Sequence, residues 1–167
     1  MDAAIFRLAE RLGRALLARD LMVATAESCT GGGIGQAITM VPGSSGWFER
    51  GFITYTYISK REMLGVKTKT LAVEGAVSEA VVREMVAGAL KRSHAQVAVA
   101  VSGVAGPTGG SREKPVGTVC IAWGRRGGRI VAETRLFRGD RDAVRRKTVE
   151  RALKGLITIL PPAGRKT

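Results

Sequence analysis

Apolar residues recur every three to four positions at Ile5, Leu8, Leu12, Leu16 and Leu17, with Arg7, Glu10, Arg11 and Arg14 between them. That period predicts an amphipathic helix over residues 3–19, ending near Asp20. Leu21 to Ala26 is short, apolar and partly β-branched, which predicts a buried strand. It runs into Glu27-Ser28-Cys29-Thr30 and three consecutive glycines, so a strand, a small-residue loop and a helix are expected in that order. Val41-Pro42-Gly43-Ser44-Ser45 breaks this helix, and the β-branched and aromatic run Gly51 to Tyr57 predicts a strand leading to Lys60.

Ser78 offers an N-cap for a helix from Glu79 to about Arg92, and Gln96 to Val101 reads as another buried strand. Gly103 to Lys114 holds Gly103, Gly106, Pro107, Gly109 and Gly110, a loop of the length and composition that usually carries function. Pro115 to Trp123 and Arg129 to Phe137 predict a hairpin across Gly124 to Gly128. Asp140 can cap a last basic helix reaching about Leu156. The alternation predicts an α/β fold, with helices on both faces of a mixed sheet, in one domain over residues 1–160. A frayed tail is expected over 161–167.

Composition narrows the function classes. The 167 residues are 45% hydrophobic, too apolar for a disordered polyelectrolyte, and a chain of this length can bury roughly two-thirds of its unfolded surface. Lys and Arg number 27 against 14 acids, a net charge of +13, and residues 125–167 carry +9 of it. Such asymmetry permits a nucleic-acid surface, an anionic small-molecule site or plain solubility. With only four Phe, two Trp and two Tyr, stacking aromatics are not interleaved with that charge. No stretch approaches the ~20 apolar residues of a membrane span, and Met-Asp-Ala-Ala is no basic leader, so a cytoplasmic protein with no membrane partner is expected. Two cysteines, Cys29 and Cys120, make neither a disulfide scaffold nor a four-ligand zinc site.

Candidate chemistry starts at Ala26-Glu27-Ser28-Cys29-Thr30-Gly31-Gly32, where a strand end meets a helix start. Unpaired N–H groups and glycines there suit an anion or a developing oxyanion, although a capped tight turn would use the same letters. Gly31 to Gly35 lacks the third glycine of a dinucleotide fingerprint, and no P-loop ending is present. A second group is Ser44 and Ser45, followed by Tyr55 and Lys60. A serine needs a base, and a lysine serves as one if burial or nearby positive charge brings its pKa toward neutrality; a solvated Lys60 beside Arg61 is the alternative. His94 is the only histidine, which leaves no Ser-His-Asp triad away from that one position and no multi-histidine metal site. Arg141 and Arg145, four apart on one helix face, could meet a phosphate, with a solvated basic face as the alternative. Cys29 beside Ser28 leaves a thiol hydrolase open as a rival.

Taken together, Ala26-Glu27-Ser28-Cys29-Thr30-Gly31-Gly32, Pro42-Gly43-Ser44-Ser45, Gly51 to Tyr55 with Lys60, Leu64-Gly65-Val66, Gly75-Ala76-Val77-Ser78-Glu79, Gly103-Val104-Ala105-Gly106-Pro107, Gly109-Gly110 and Lys114-Pro115-Val116-Gly117-Thr118 resemble the CinA C-terminal-domain family. The resemblance runs from about residue 5 to 158. Its studied members are nicotinamide-nucleotide amidases, so it implies hydrolysis of nicotinamide mononucleotide to nicotinate mononucleotide and ammonia in pyridine-nucleotide (NAD) recycling. It further implies a three-layer α/β/α sandwich, a stand-alone single domain, no metal, no cofactor, and a homodimer or larger assembly. A Ser/Lys mechanism follows from the same likeness: Ser45 or Ser28 as nucleophile, with Ser45 preferred, Lys60 as base and Tyr55 assisting. Glu27, Cys29, Thr30, Gly31, Gly32, Ser102, Gly103, Gly106 and Arg141 would line the substrate site, Arg141 and the glycine loops taking the phosphate. Tyr55-Thr56-Tyr57 departs from the family's usual Tyr-Ser-Asn, and Ser102 and Val104 from its Thr and Ile; Tyr57 is the change expected to reshape the pocket. On this reading nucleic acid is not the expected partner. A nucleic-acid module remains the alternative from a different class.

Overall fold

A computed structural model describes residues 2–164. Helices α1 (Ala3–Leu17), α2 (Gly33–Thr39), α3 (Tyr57–Leu64), α4 (Thr68–Glu74), α5 (Glu79–Lys91) and α6 (Arg141–Ile159) surround strands β1 (Val23–Glu27), β2 (Phe48–Ile53), β3 (Val97–Gly103), β4 (Thr118–Arg125) and β5 (Ile130–Leu136). The strands form one sheet in the order β2-β1-β3-β4-β5. β1 is parallel to both β2 and β3, while β4 is antiparallel to β3 and to β5, so the sheet is mixed. The parallel half directs the ends of β1, β2 and β3 to one edge, where ligand sites of α/β proteins form.

Sequence alternation explains the two helical layers. In β3, Val97, Val99 and Val101 face one side and Ala98 and Ala100 the other. The valine face, continued by Ile121 and Trp123 of β4, packs under α1, α2 and α6. Leu8, Leu12 and Leu16 of α1 are buried there, each contributing about 1.5–3 kcal/mol by leaving water, whereas Leu17, within the expected stripe, is exposed. The alanine face, with Ala24, Ala26 and Ala122, receives Val82, Met85 and Val86 of α5. Small side chains there let α5 lie close to the sheet. Gly88 of α5 takes the closeness a step further, because a Cβ at that position would overlap the backbone of Leu64 in α3. The close α3–α5 contact holds α3 against this face.

Several expected boundaries move. The predicted strand over 51–57 is β2 only as far as Ile53, and Tyr57 instead begins α3. A capping box starts that helix: Thr56 Oγ1 accepts from Ser59 N–H at 3.1 Å, and Ser59 Oγ accepts from Thr56 N–H at 3.0 Å. Helix α4 has no counterpart among the expected elements, and β4 begins at Thr118 rather than Pro115. Residues 165–167 of the expected frayed tail lie outside the described residues, and the Pro161 carbonyl accepts from Arg19 Nε at 2.5 Å. No helix among the described residues is long and apolar enough to cross a membrane.

Candidate active site

The turn leaving β1 carries the central residue. Ser28 N–H donates to Val101 O at 3.0 Å, continuing the parallel ladder one residue beyond its last pair and setting Ser28 beside Ser102 at the end of β3. Lys60 reaches the same point from the first turn of α3. Its Nζ donates to Ser28 Oγ at 2.9 Å and to Thr54 O at 2.6 Å. The side chain is 1% exposed, and no carboxylate pairs with it among the described residues. Burial therefore pulls the ammonium down to about 8. At neutral pH a usable fraction of Lys60 is the free amine. The retained N–H to Thr54 O then aims the nitrogen lone pair at Ser28.

A cavity of about 330 Å³ opens over this pair. Its lining includes Tyr55, Tyr57, Arg141, Ser102, Val77 and residues of the loop between Val104 and Gly110. Arg141 ties two walls together, donating from Nη1 to Gly106 O at 2.8 Å and from Nη2 to Tyr55 Oη at 2.9 Å. Gly106 has φ +81°, and a Cβ on it would meet Val116, so the loop folds this tightly only with glycine there. Because the Tyr55 oxygen accepts from Arg141, its own O–H remains available to the cavity.

Of the residues singled out from sequence, Ser28, Cys29, Tyr55, Lys60, Ser102, Gly103, Gly106 and Arg141 line the cavity. Ser45 does not. It lies in a 3-10 turn, Ser44–Gly46, before β2, whereas Lys60 follows the other end of that strand. The six residues of β2 put roughly 17–20 Å between the two ends. The expected partnership of Ser45 with Lys60 is thus overturned by strand direction: Ser45 is exposed at the far edge of the sheet.

Glu27, Thr30, Gly31 and Gly32 are also outside the cavity lining. Glu27 is 1% exposed and turns to the opposite face of β1, where Oε1 accepts from Thr30 Oγ1 at 2.6 Å and Ile34 N–H at 2.8 Å, and Oε2 from Gly35 N–H at 2.9 Å. The protein's own carboxylate thus occupies the helix start that the glycines suggested for an external anion. Cys29 belongs to the valine-face core, and burial pushes its thiol up to about 12, which removes the thiolate a thiol hydrolase needs. His94 is exposed, its N–H donating to Glu49 at 3.1 Å. Among the described residues no group of three or more His, Cys, Asp or Glu is placed to hold a metal ion. Tyr57, Val77 and Thr108 also line the cavity, although none is among the expected site residues; the Thr56–Ser59 capping pair is the signal in the letters for Tyr57, since it turns the chain into a helix there.

Much of the basic last quarter is engaged within the molecule. Arg126 donates to the carbonyls of Leu90, Ser93 and Ala95 behind α5, Arg145 to Thr30 O, and Lys147 to Arg138 O. Arg151 pairs with Glu133 at 2.7 Å and lies 4.8 Å over the Trp123 ring. These contacts give the positive charge local structural partners.

Comparison with known proteins places this architecture. Residues 5–160 match the CinA C-terminal domain. The chain is 53% identical to the nicotinamide-nucleotide amidohydrolase PncC of Escherichia coli (strain K12) over 93% of its length and 94% of that protein. It is 57% identical to the protein of the same name from Pseudomonas putida, over 93% and 96% respectively. The crystal structure of the competence/damage inducible protein CihA from Agrobacterium tumefaciens superposes with a TM-score of 0.92 at 48% identity, covering 95% of this chain and 96% of that one. With the mixed five-stranded sheet and its two helical layers, these matches establish that the chain belongs to the CinA C-terminal domain family.

Proposed function

We propose that this protein is a Ser/Lys amidohydrolase that converts nicotinamide mononucleotide to nicotinate mononucleotide and ammonia, a step in pyridine-nucleotide recycling. The observation that carries this reading is the 2.9 Å contact between Lys60 Nζ and Ser28 Oγ inside the cavity, in a chain more than half identical over nearly its full length to nicotinamide-nucleotide amidohydrolases.

Neutral Lys60 takes the Ser28 proton as Oγ attacks the carboxamide carbon. The C–N bond then breaks as protonated Lys60 gives that proton to the leaving nitrogen, which departs as ammonia. Lys60 next takes a proton from the water that attacks the ester on Ser28 and returns it to Ser28 Oγ as the ester bond breaks, which restores the serine and frees the acid, whose proton is lost to solvent. Tyr55, with its O–H free, assists the proton transfers or orients the amide. Arg141 is the cavity's guanidinium, and its remaining N–H groups suit the single phosphate of the substrate. Serine, not cysteine, is the nucleophile, since the Cys29 thiol stays protonated throughout the neutral range. The enzyme acts in the cytoplasm as a homodimer or larger assembly.

Ammonia release from nicotinamide mononucleotide, followed against pH, tests the proposal. kcat/KM is expected to rise with an apparent pKa of about 8 and to drop about tenfold per unit well below it, as Lys60 gains its proton. Absence of ammonia release at any pH overturns the reading.

A further inference from the structure

Glu27 and Thr30, on either side of Ser28 and Cys29, lie outside the cavity lining, yet they anchor the β1 turn. Glu27 and Thr30 bracket Ser28 and Cys29, and they are joined through Thr30 Oγ1 and Glu27 Oε1 at 2.6 Å. Thr30 is gripped a second time, its carbonyl accepting from Arg145 Nη2 at 2.9 Å. Glu27 also accepts from Ile34 N–H and Gly35 N–H of α2. Inside this frame Ser28 O accepts from Gly31 N–H at 3.0 Å, closing the turn. Both Glu27 and Thr30 are 1% exposed. Arg145 stands one helical turn after Arg141 on α6, and Arg141 holds Tyr55 and Gly106 on the cavity side. One helix thereby grips the cavity wall with one arginine and the nucleophile's turn with the next.

We infer that Glu27, Thr30 and Arg145 form a positioning brace that fixes Ser28 Oγ against Lys60 from the opposite face of the sheet. None of the three is a catalytic residue, and the inference rests on Ser28 and Lys60 being the reacting pair. A nucleophile must be held to about 0.5 Å of its productive position, and a β1 turn ending in three glycines has little rigidity of its own. The brace supplies it. Its loss changes the reactivity of Ser28 without changing the groups that bind substrate.

The test measures kcat and KM for ammonia release from nicotinamide mononucleotide in Thr30→Val, Thr30→Ser, Arg145→Met, Thr30→Val with Arg145→Met, and Ser28→Ala, each checked for native circular dichroism. Thr30→Val keeps shape but loses the hydroxyl. It is expected to lower kcat at least tenfold with KM within about twofold and the apparent pKa near 8 unchanged, while Thr30→Ser restores kcat to within about threefold of the parent. Arg145→Met is expected to lower kcat likewise, and the double variant to lose less than the product of the two single losses, as members of one unit do. A parent-like kcat in Thr30→Val, a loss that Thr30→Ser shares, or a loss carried in KM overturns the brace. If the valine chain does not fold, Arg145→Met decides alone: a parent-like kcat overturns the brace, and a tenfold loss at constant KM supports it. Ser28→Ala separates the two levels, since activity retained there overturns the reacting pair itself, whereas activity lost there with Thr30→Val unaffected overturns only the brace.

Discussion

Glu27 and Lys60 are two charged side chains hidden to the same degree at the same end of the sheet, on opposite faces of it, and they are treated in opposite ways. Three donors meet the Glu27 carboxylate, two of them backbone N–H groups at the N-terminal end of α2 and one the Thr30 hydroxyl, so both of its oxygens are held. Lys60 meets only two neutral acceptors, Ser28 Oγ and Thr54 O, and its pKa falls to about 8. A buried charge met by donors at a helix start holds a structure together; a buried ammonium facing only neutral acceptors is held near the point where it gives up its proton. On the proposed mechanism, the difference separates the residue that builds the site from the one that reacts in it.

The comparison breaks most visibly in activity. Lys60→Met is expected to lower kcat/KM for ammonia release by at least about a thousandfold, the loss of a general base together with activation of its nucleophile. A loss below tenfold would return Lys60 to the status of a core lysine. In stability the two residues should move in opposite directions. Glu27→Gln places an amide N–H against backbone N–H or hydroxyl donors and is expected to lower unfolding free energy by roughly 1–3 kcal/mol, read by urea titration.

Lys60→Met is expected to stabilise the protein near neutral pH, because a pKa lowered from 10.5 to about 8 means the folded state disfavours the ammonium by on the order of 3 kcal/mol, less the cost of leaving Ser28 and Thr54 without their donor. The sign follows from proton counting. Between about pH 8 and 10.5 the unfolded chain still binds the Lys60 proton and the folded one does not, so parent stability rises with pH across that window. The advantage of the methionine variant should accordingly be full below pH 8 and shrink toward pH 10.5; a difference independent of pH would show that Lys60 is not strained as an ammonium. Least affected should be Cys29→Ala, expected to keep activity within about threefold, since the thiol is protonated and buried.

Much of this was legible in the amino-acid letters. The leucine stripe of α1, the Ser78 and Asp140 caps of α5 and α6, and the apolar runs of β1 and β3 carry their own periodicity, and each forms near the expected place. Lys60, Tyr55, Ser28 and Arg141 stand out because their types suit the chemistry, and the four line one cavity. What the letters hid was direction. Ser45 is nearer Lys60 than Ser28 is along the chain, but β2 runs parallel to β1 and carries Ser45 to the far edge. The strand expected to reach Lys60 fails because Thr56 and Ser59 cap each other, a two-residue signal inside a β-branched, aromatic run. Glu27, which the resemblance sets at the substrate site, lies outside the cavity lining and accepts from Thr30 and the start of α2.

The choice between the two serines tests the central claim most directly. Ammonia release from nicotinamide mononucleotide should be measured for Ser28→Ala and Ser45→Ala side by side, on protein of equal native circular dichroism. The account predicts a loss of at least about a thousandfold for Ser28→Ala and activity within about twofold of the parent for Ser45→Ala. The reverse pattern, with Ser45→Ala inactive and Ser28→Ala active, would contradict it.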